Sequence, residues 1–231
     1  MNANTEETPR RVARPRDAAT LVLYRMRRGR PCVLMGLRHS RHRFMPDQFV
    51  FPGGRVDRAD GYVPAASEMQ PHVAKRLSKA ASPHRARALA MAAVRETFEE
   101  TGLILGQRTD APPRRLGDDW RHFCDTGFAP SLDSLEYICR AITPPFRPIR
   151  FNARFFLADG SRAHGRLAGS GELLDLDWIP LTKARKLPTP RIQQVVLDYL
   201  DELIDDEGRI RRPRRVPVQR MRHGRRVQEF E

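Results

Sequence analysis

A chain of 231 residues, 40% of them hydrophobic, can bury one sizeable core with at most an embellishing subdomain. No apolar run approaches the roughly 18 residues that a membrane-crossing helix needs. The Arg-rich N-terminus carries Glu6, Glu7, Pro9 and Pro15 and no apolar h-region, so it fits neither a secretory signal nor a good transit peptide. A soluble, cytoplasmic protein with no membrane partner is therefore expected. Cys32, Cys124 and Cys139 are odd in number and widely spaced, which predicts buried reduced thiols rather than a disulfide framework or a CxxC metal pair. The net charge of +14 is uneven: Gly208 to Gln228 holds nine arginines and no acidic residue. Such a segment can attract nucleic acid, but without interleaved aromatics it reads first as a solvated tail.

In chain order, residues 1–17 are polar, charged and Pro-containing and read as a disordered arm. Ala18 to Tyr24 and Cys32 to Leu37 are apolar runs flanking a basic, Gly-containing turn, which predicts a strand pair. Gln48 to Phe51 is a third short strand that stops at Pro52-Gly53-Gly54. Residues 55–82, with Pro64 and Pro71 around a polar middle, read as an insertion carrying a short helix. From His84 the spacing of Leu89, Ala92, Ala93 and Phe98 predicts a helix that ends at Thr101-Gly102, where glycine can form the cap. Trp120 to Ile142 is ambiguous between helix and strand. Arg150 to Ala158 and Leu173 to Ile179 look like strands, and Arg191 to Ile204 has the three- and four-residue steps of an amphipathic helix. Strands interleaved with two long helices predict an α/β sandwich with a mixed sheet. The folded domain is expected over residues 18–206, followed by a basic tail over 207–231.

The chemistry lies in Arg95-Glu96-Thr97-Phe98-Glu99-Glu100-Thr101-Gly102-Leu103. Glu96 stands three and four residues before Glu99 and Glu100, so the three carboxylates share one side of the helix. Like charges at that spacing repel, near a helix end that already disfavours anions. A bound divalent cation reverses the sign of that cost, and carboxylate-only ligation suits Mg²⁺ or Mn²⁺ better than zinc. The bland alternative is a solvated Glu-rich face on which Arg95 pairs with Glu99.

With FPGG upstream, this segment resembles the box of the Nudix hydrolase family, G-x5-E-x7-R-E-U-x-E-E-x-G-U, where U is aliphatic. Gly54, Arg95, Glu96, Glu99, Glu100, Gly102 and Leu103 match it. The sequence departs from the box in two respects. Forty residues separate Gly54 from Arg95 where the box has 13, an excess of 27, and Arg87 occupies the place of the first glutamate. Thr97 at a U position is a milder departure.

The resemblance implies the Nudix α/β/α sandwich and a metal-dependent pyrophosphohydrolase. In it the carboxylates of Glu96, Glu99 and Glu100 and the carbonyl of Gly53 hold Mg²⁺ or Mn²⁺, and Arg95 orients a glutamate. Glu96, Glu100 or Glu172 is the general base, and a homodimer is implied. Arg38 and Arg154 adjoin strands near the expected cleft and are candidates to hold substrate phosphates. The insertion and the stretch from Ile142 to Leu181 look most similar to a branch that includes mammalian peroxisomal coenzyme A diphosphatases, which implies coenzyme A or an acyl derivative as substrate. ADP-ribose, NADH or another dinucleotide is the alternative, as is a nucleic-acid-binding module of the same fold with little activity. The C-terminal Phe230-Glu231 is not a peroxisomal SKL-type address. The insertion leaves from the edge of the cleft, either as a wall that reads the substrate or as core packing through Val73 and Leu77. The arginine tail is expected to be peripheral to catalysis.

Overall fold

The computed structural model describes residues 13–39, 47–111 and 116–231. The expected disordered arm lies largely outside the described residues, as does most of the basic stretch before FPGG. The arm's end does not fit that expectation: β1 spans Arg16–Arg27, and Arg16 and Asp17 pair with Phe151 and Asn152. Next come β2 (Arg30–Arg38), β3 (Phe49–Val50) and β4 (Gly53–Arg55), then α1 (Pro71–Leu77) and α2 (Pro83–Thr101). The middle of the chain holds β5 (Leu103–Ile104), β6 (Gly106–Arg108), α3 (Asp118–Asp125), β7 (Phe128–Pro130), β8 (Glu136–Ile142), β9 (Phe151–Asp159) and β10 (His164–Gly165). The ambiguous region thus resolves into one helix and two strands. The rest is β11 (Leu173–Pro180), α4 (Leu181–Ala184), α5 (Arg191–Leu203), β12 (Pro217–Arg222) and β13 (Arg225–Phe230).

Among the described residues nine strands form one mixed sheet, in the order β11-β2-β1-β9-β8-β12-β13, with β3 beside β2 and β4 beside β1. β1 runs parallel to β9 and antiparallel to β2 and β4. Alternating side chains split the sheet into two faces. Leu21, Leu23, Leu34 and Phe156 pack with Leu89, Ala90 and Met91 of α2, while Val22, Met35, Phe155 and Leu157 pack with Val196, Leu197 and Leu200 of α5. The expected α/β sandwich is observed. All three cysteines are free and buried, and no described helix is long and apolar enough to cross a membrane.

Of the two readings of the insertion the structure takes core packing, and the C-terminal segment departs from its expectation. The insertion turns inward: Val73 and Leu77 of α1 are buried in the α2-side core. Arg87 pins it there, with its Nε on Glu68 at 2.9 Å and its Nη2 on the Val63 carbonyl at 2.9 Å. The residue that replaces the box's first glutamate is therefore a clamp on the insertion. The supposed tail, by contrast, is ordered sheet. Residues 217–230 form a hairpin whose first strand runs parallel to β8 through Val218↔Arg140 and Gln219↔Ala141. The Glu231 side chain fastens it, accepting from Arg140 Nη1 at 2.6 Å and Tyr137 Oη at 2.8 Å. Composition alone misleads here, because alternation along an Arg-rich strand lets one face pair with acids while backbone bonds complete the sheet edge.

If α1 is core rather than a mobile wall, Leu77→Ala will cost about 3 kcal/mol. The exposed Lys75→Ala on the same helix will change stability by less than about 0.5 kcal/mol. Urea denaturation of the two variants checks this, and equal effects would return the insertion to the surface.

Candidate active site

The turn after β3 and the last turns of α2 meet across a short gap. Ser82 caps the start of α2, its hydroxyl accepting from the Arg85 amide at 3.3 Å, and Gly102 ends it with a left-handed φ of 71°. The register set by these caps turns Glu96 and Glu100 towards the Pro52-Gly53-Gly54 turn. The Gly53 amide donates to Glu100 Oε2 at 2.8 Å. A Cβ on Gly54 would stand 2.4 Å from the Glu96 carboxylate, and one on Gly53 would stand 2.4 Å from the Ala19 carbonyl oxygen, so only glycines allow this approach. Gln193 of α5 holds the other side of the turn, its Oε1 accepting from the Phe51 amide at 2.8 Å. Thr97 is buried where an aliphatic residue is usual, and it satisfies its hydroxyl by donating to the Ala93 carbonyl at 2.7 Å.

Arg95 is 2% exposed and organises the cluster. Its Nη1 donates to Glu96 at 3.0 Å and to Glu99 at 3.1 Å, and its Nη2 donates to the Arg55 carbonyl at 2.9 Å. On its far side Nε and Nη2 grip the two oxygens of Asp60 at 2.8 and 3.2 Å. Asp60, fully buried, also accepts from Trp120 Nε1 at 2.9 Å and from the Asp57 amide at 2.7 Å. Sequence reasoning missed Asp60, because an aspartate in an insertion carries no spacing signal. Burial works against the charge on Arg95, but the hydrogen bonds and charges of Asp60, with Glu96 and Glu99, outweigh it and hold the guanidinium firmly protonated.

The carboxylates carry the cost of this enclosure. Burial pushes the Glu96 carboxyl up to about 7 despite the neighbouring Arg95. Burial also raises Glu100 to about 8, against the pull of the Gly53 amide and with repulsion from Glu96 added. Glu99 is raised too, again chiefly by burial. These are oxygen donors short of positive charge, as a hard divalent cation requires. Among the described residues no three acidic, His or Cys side chains already form a closed cage, so an ion here would need oxygens from backbone, water or substrate as well.

The cluster forms one end of a cleft of about 1120 Å³, which is also lined by Arg38, Glu172, Phe155 and residues of α5 and the C-terminal hairpin. Arg38 reaches the cleft, and its charge acts on Glu100. Glu172 stands exposed at its edge. Arg154 does not line it. Its side chain is 2% exposed and donates to Asp17 at 2.9 Å and to the Asn152 carbonyl at 3.0 Å, because its position in β9 faces the α2 side of the sheet. The expected phosphate contact of Arg154 is thus replaced by a buried ion pair. Gly53 meets Glu100 through its amide; its carbonyl remains the expected metal donor. Of the insertion, only Arg55 and Asp57 reach the cleft.

The elevated carboxyls give a signed pH dependence. Protonated Glu96 and Glu100 favour the folded state in full below their ordinary value of 4.5, and that contribution is lost as pH rises through about 7 to 8. In chelator, urea-unfolding stability will fall from pH 5 to 8.5, and a Glu96→Gln/Glu100→Gln protein will show a flatter slope; an unchanged slope refutes the burial. Asp60→Ala strands a buried guanidinium and will cost about 3 to 5 kcal/mol in the same assay. A loss below about 1 kcal/mol would deny Asp60 its organising role.

No family model matches the chain, and no curated protein matches it. Solved structures do. The Nudix hydrolase from Alicyclobacillus acidocaldarius is 31% identical, with a TM-score of 0.65 over 81% of this chain and 91% of that one. The mutator MutT protein from Bacillus halodurans is 11% identical, with a TM-score of 0.50 over 94% of this chain and 97% of that one, and speaks for the fold alone. The identity to the first, spread over most of both chains, makes this protein a member of the Nudix hydrolase family, a pyrophosphohydrolase acting on phosphorus-containing anhydrides.

Proposed function

We propose that this protein hydrolyses a nucleoside diphosphate linked to a second moiety, in a reaction dependent on Mg²⁺ or Mn²⁺, and that the substrate is coenzyme A or an acyl-coenzyme A. The observation that carries the reading is the approach of Glu96 and Glu100 to the Gly53-Gly54 turn, with Glu99 held on the same Arg95 as Glu96, at one end of a cleft roomy enough for a long substrate. In this reading the three carboxylates, with the Gly53 carbonyl, are the metal ligands. A divalent ion held there would neutralise charge on the diphosphate and lower the pKa of an attacking water.

The chain's own residues do the positioning. Arg95, locked by Asp60, fixes Glu96 and Glu99 at the lining of the cleft. Arg38 lies where a diphosphate oxygen would need a counter-charge. Glu172 at the mouth is the proposed general base, with Glu96 and Glu100 as the other carboxylates able to accept the water's proton. Water adds to one phosphorus, the P–O bond of the anhydride breaks, and two phosphomonoesters leave.

The reading is tested by assaying Mg²⁺- and Mn²⁺-dependent cleavage of coenzyme A, acetyl-coenzyme A, ADP-ribose, NADH and a diadenosine polyphosphate. The coenzyme A compounds are expected to have the highest kcat/KM. Glu100→Gln is expected to lower kcat by roughly a hundredfold or more while the fold persists. A preference for ADP-ribose or NADH transfers the substrate assignment to dinucleotides, and near-normal turnover of Glu100→Gln at saturating Mg²⁺ removes Glu100 from the ligand set.

A further inference from the structure

The cleft does not end at the carboxylates. Read across the sheet by pairing, Arg55 of β4 lies opposite Ala18 of β1, Ala18 opposite Ala153 of β9, Ala153 opposite Ala141 of β8, and Ala141 opposite Gln219 of β12. Paired residues share a face. Every member of this row lines the cleft, so its floor is a trough with three alanines at its centre, running from the catalytic turn to the C-terminal hairpin. Met221, two residues on from Gln219, is on the same face, and its partner across the hairpin is Arg226.

Acidic groups are confined to one end of this trough, whereas arginines line both ends. The acidic lining residues all come from the catalytic end: Asp57, the three glutamates of α2, Asp119 and Glu172. The hairpin end holds Arg226, and the turn between β8 and β9 holds Arg147. Both are exposed, and neither forms an ion pair with a described residue. Arg220, which also lines the cleft, and Arg222 are by contrast neutralised by Glu229 at 2.6 and 3.0 Å. Between the two ends the lining is mostly apolar, with Ile142, Phe151 and Phe155 beside the polar Thr143 and Gln193, and Phe146 and Ile149 stand 66% and 38% exposed beside Arg147. An apolar trough that closes on unpaired arginines fits a chain that is apolar along its length and anionic at its tip.

The length selects among such chains. Five strand spacings separate β4 from β13, roughly 24 Å at about 4.8 Å per strand. A phosphate on the ribose next to the diphosphate would stop well short of the hairpin. The extended pantetheine arm of coenzyme A with a short acyl group has the needed reach.

We propose that Arg226 and Arg147 form a second anion site that selects acyl-coenzyme A substrates whose acyl chain ends in a carboxylate, with the hairpin as the specificity wall of the cleft. The identity of the near end rests on the function proposed above; the far site rests on the hairpin geometry.

The test compares glutaryl-coenzyme A with pentanoyl-coenzyme A, which match in chain length and differ in the terminal charge, with acetyl-coenzyme A as reference. The intact protein is expected to favour glutaryl over pentanoyl by about tenfold in kcat/KM, mainly through KM, as for one charge-assisted contact in a partly desolvated site. Arg147→Gln/Arg226→Gln is expected to abolish the preference and leave acetyl-coenzyme A unaffected. Equal kcat/KM for the two acyl compounds, or a preference that survives in the double variant, overturns the proposal. Calorimetric binding of the same pair to the intact protein separates the two levels of inference. A charge preference in binding without hydrolysis would retain the anion site and discard the proposed activity, whereas equal binding would discard the site itself.

Discussion

Arg95 and Asp60 form the contact on which the site depends. A guanidinium that is 2% exposed needs its charge met on every side, and Asp60 meets it from behind while Glu96 and Glu99 meet it from in front. Because Asp60 is itself tied to Trp120 and to the Asp57 amide, the arginine's position is fixed by α3 and by the turn after β4 as well as by its own helix. Removing one partner of such a pair is costly, since the other charge stays buried and uncompensated. The enlarged loop between the glycine turn and α2 therefore supplies the anchor for the residue that the box holds in common with the family.

The same burial that orders the carboxylates keeps them short of positive charge. Arg95 contributes one cation to Glu96 and Glu99, and Glu100 accepts from the Gly53 amide, with the charge of Arg38 acting on it. An enclosed, under-neutralised acidic cluster is poor for stability, and a protein retains one where function requires it. The glycines at 53 and 54 make the enclosure possible by letting backbone approach where a Cβ would collide.

Two parts of the chain have their roles decided by tertiary pairing. The insertion, placed at the cleft edge by the order of the motif, sends Val73 and Leu77 into the core and is held by Arg87. The arginine-rich end becomes the edge of the main sheet and the far wall of the cleft. In both cases the deciding physics is long-range pairing. Backbone hydrogen bonds to β8 and the Glu231 contacts with Arg140 and Tyr137 capture the hairpin, and buried apolar area captures α1.

Local patterns were legible because they depend on near neighbours. The α2 glutamates and the Gly102 cap follow from helical spacing, the strands around the basic turn follow from alternation, and α5 follows from its three- and four-residue steps. The motif order Gly54, Arg95-Glu96, Glu99-Glu100, Gly102 carried the family. What the sequence could not disclose is which residues separated by dozens of positions meet. Asp60 behind Arg95, Arg154 turned from the cleft to Asp17, and Gln219 beside Ala141 are each decided by sheet order and strand register. A one-residue change of register sends a side chain to the opposite face, and nothing local to Arg154 or Arg226 encodes that choice.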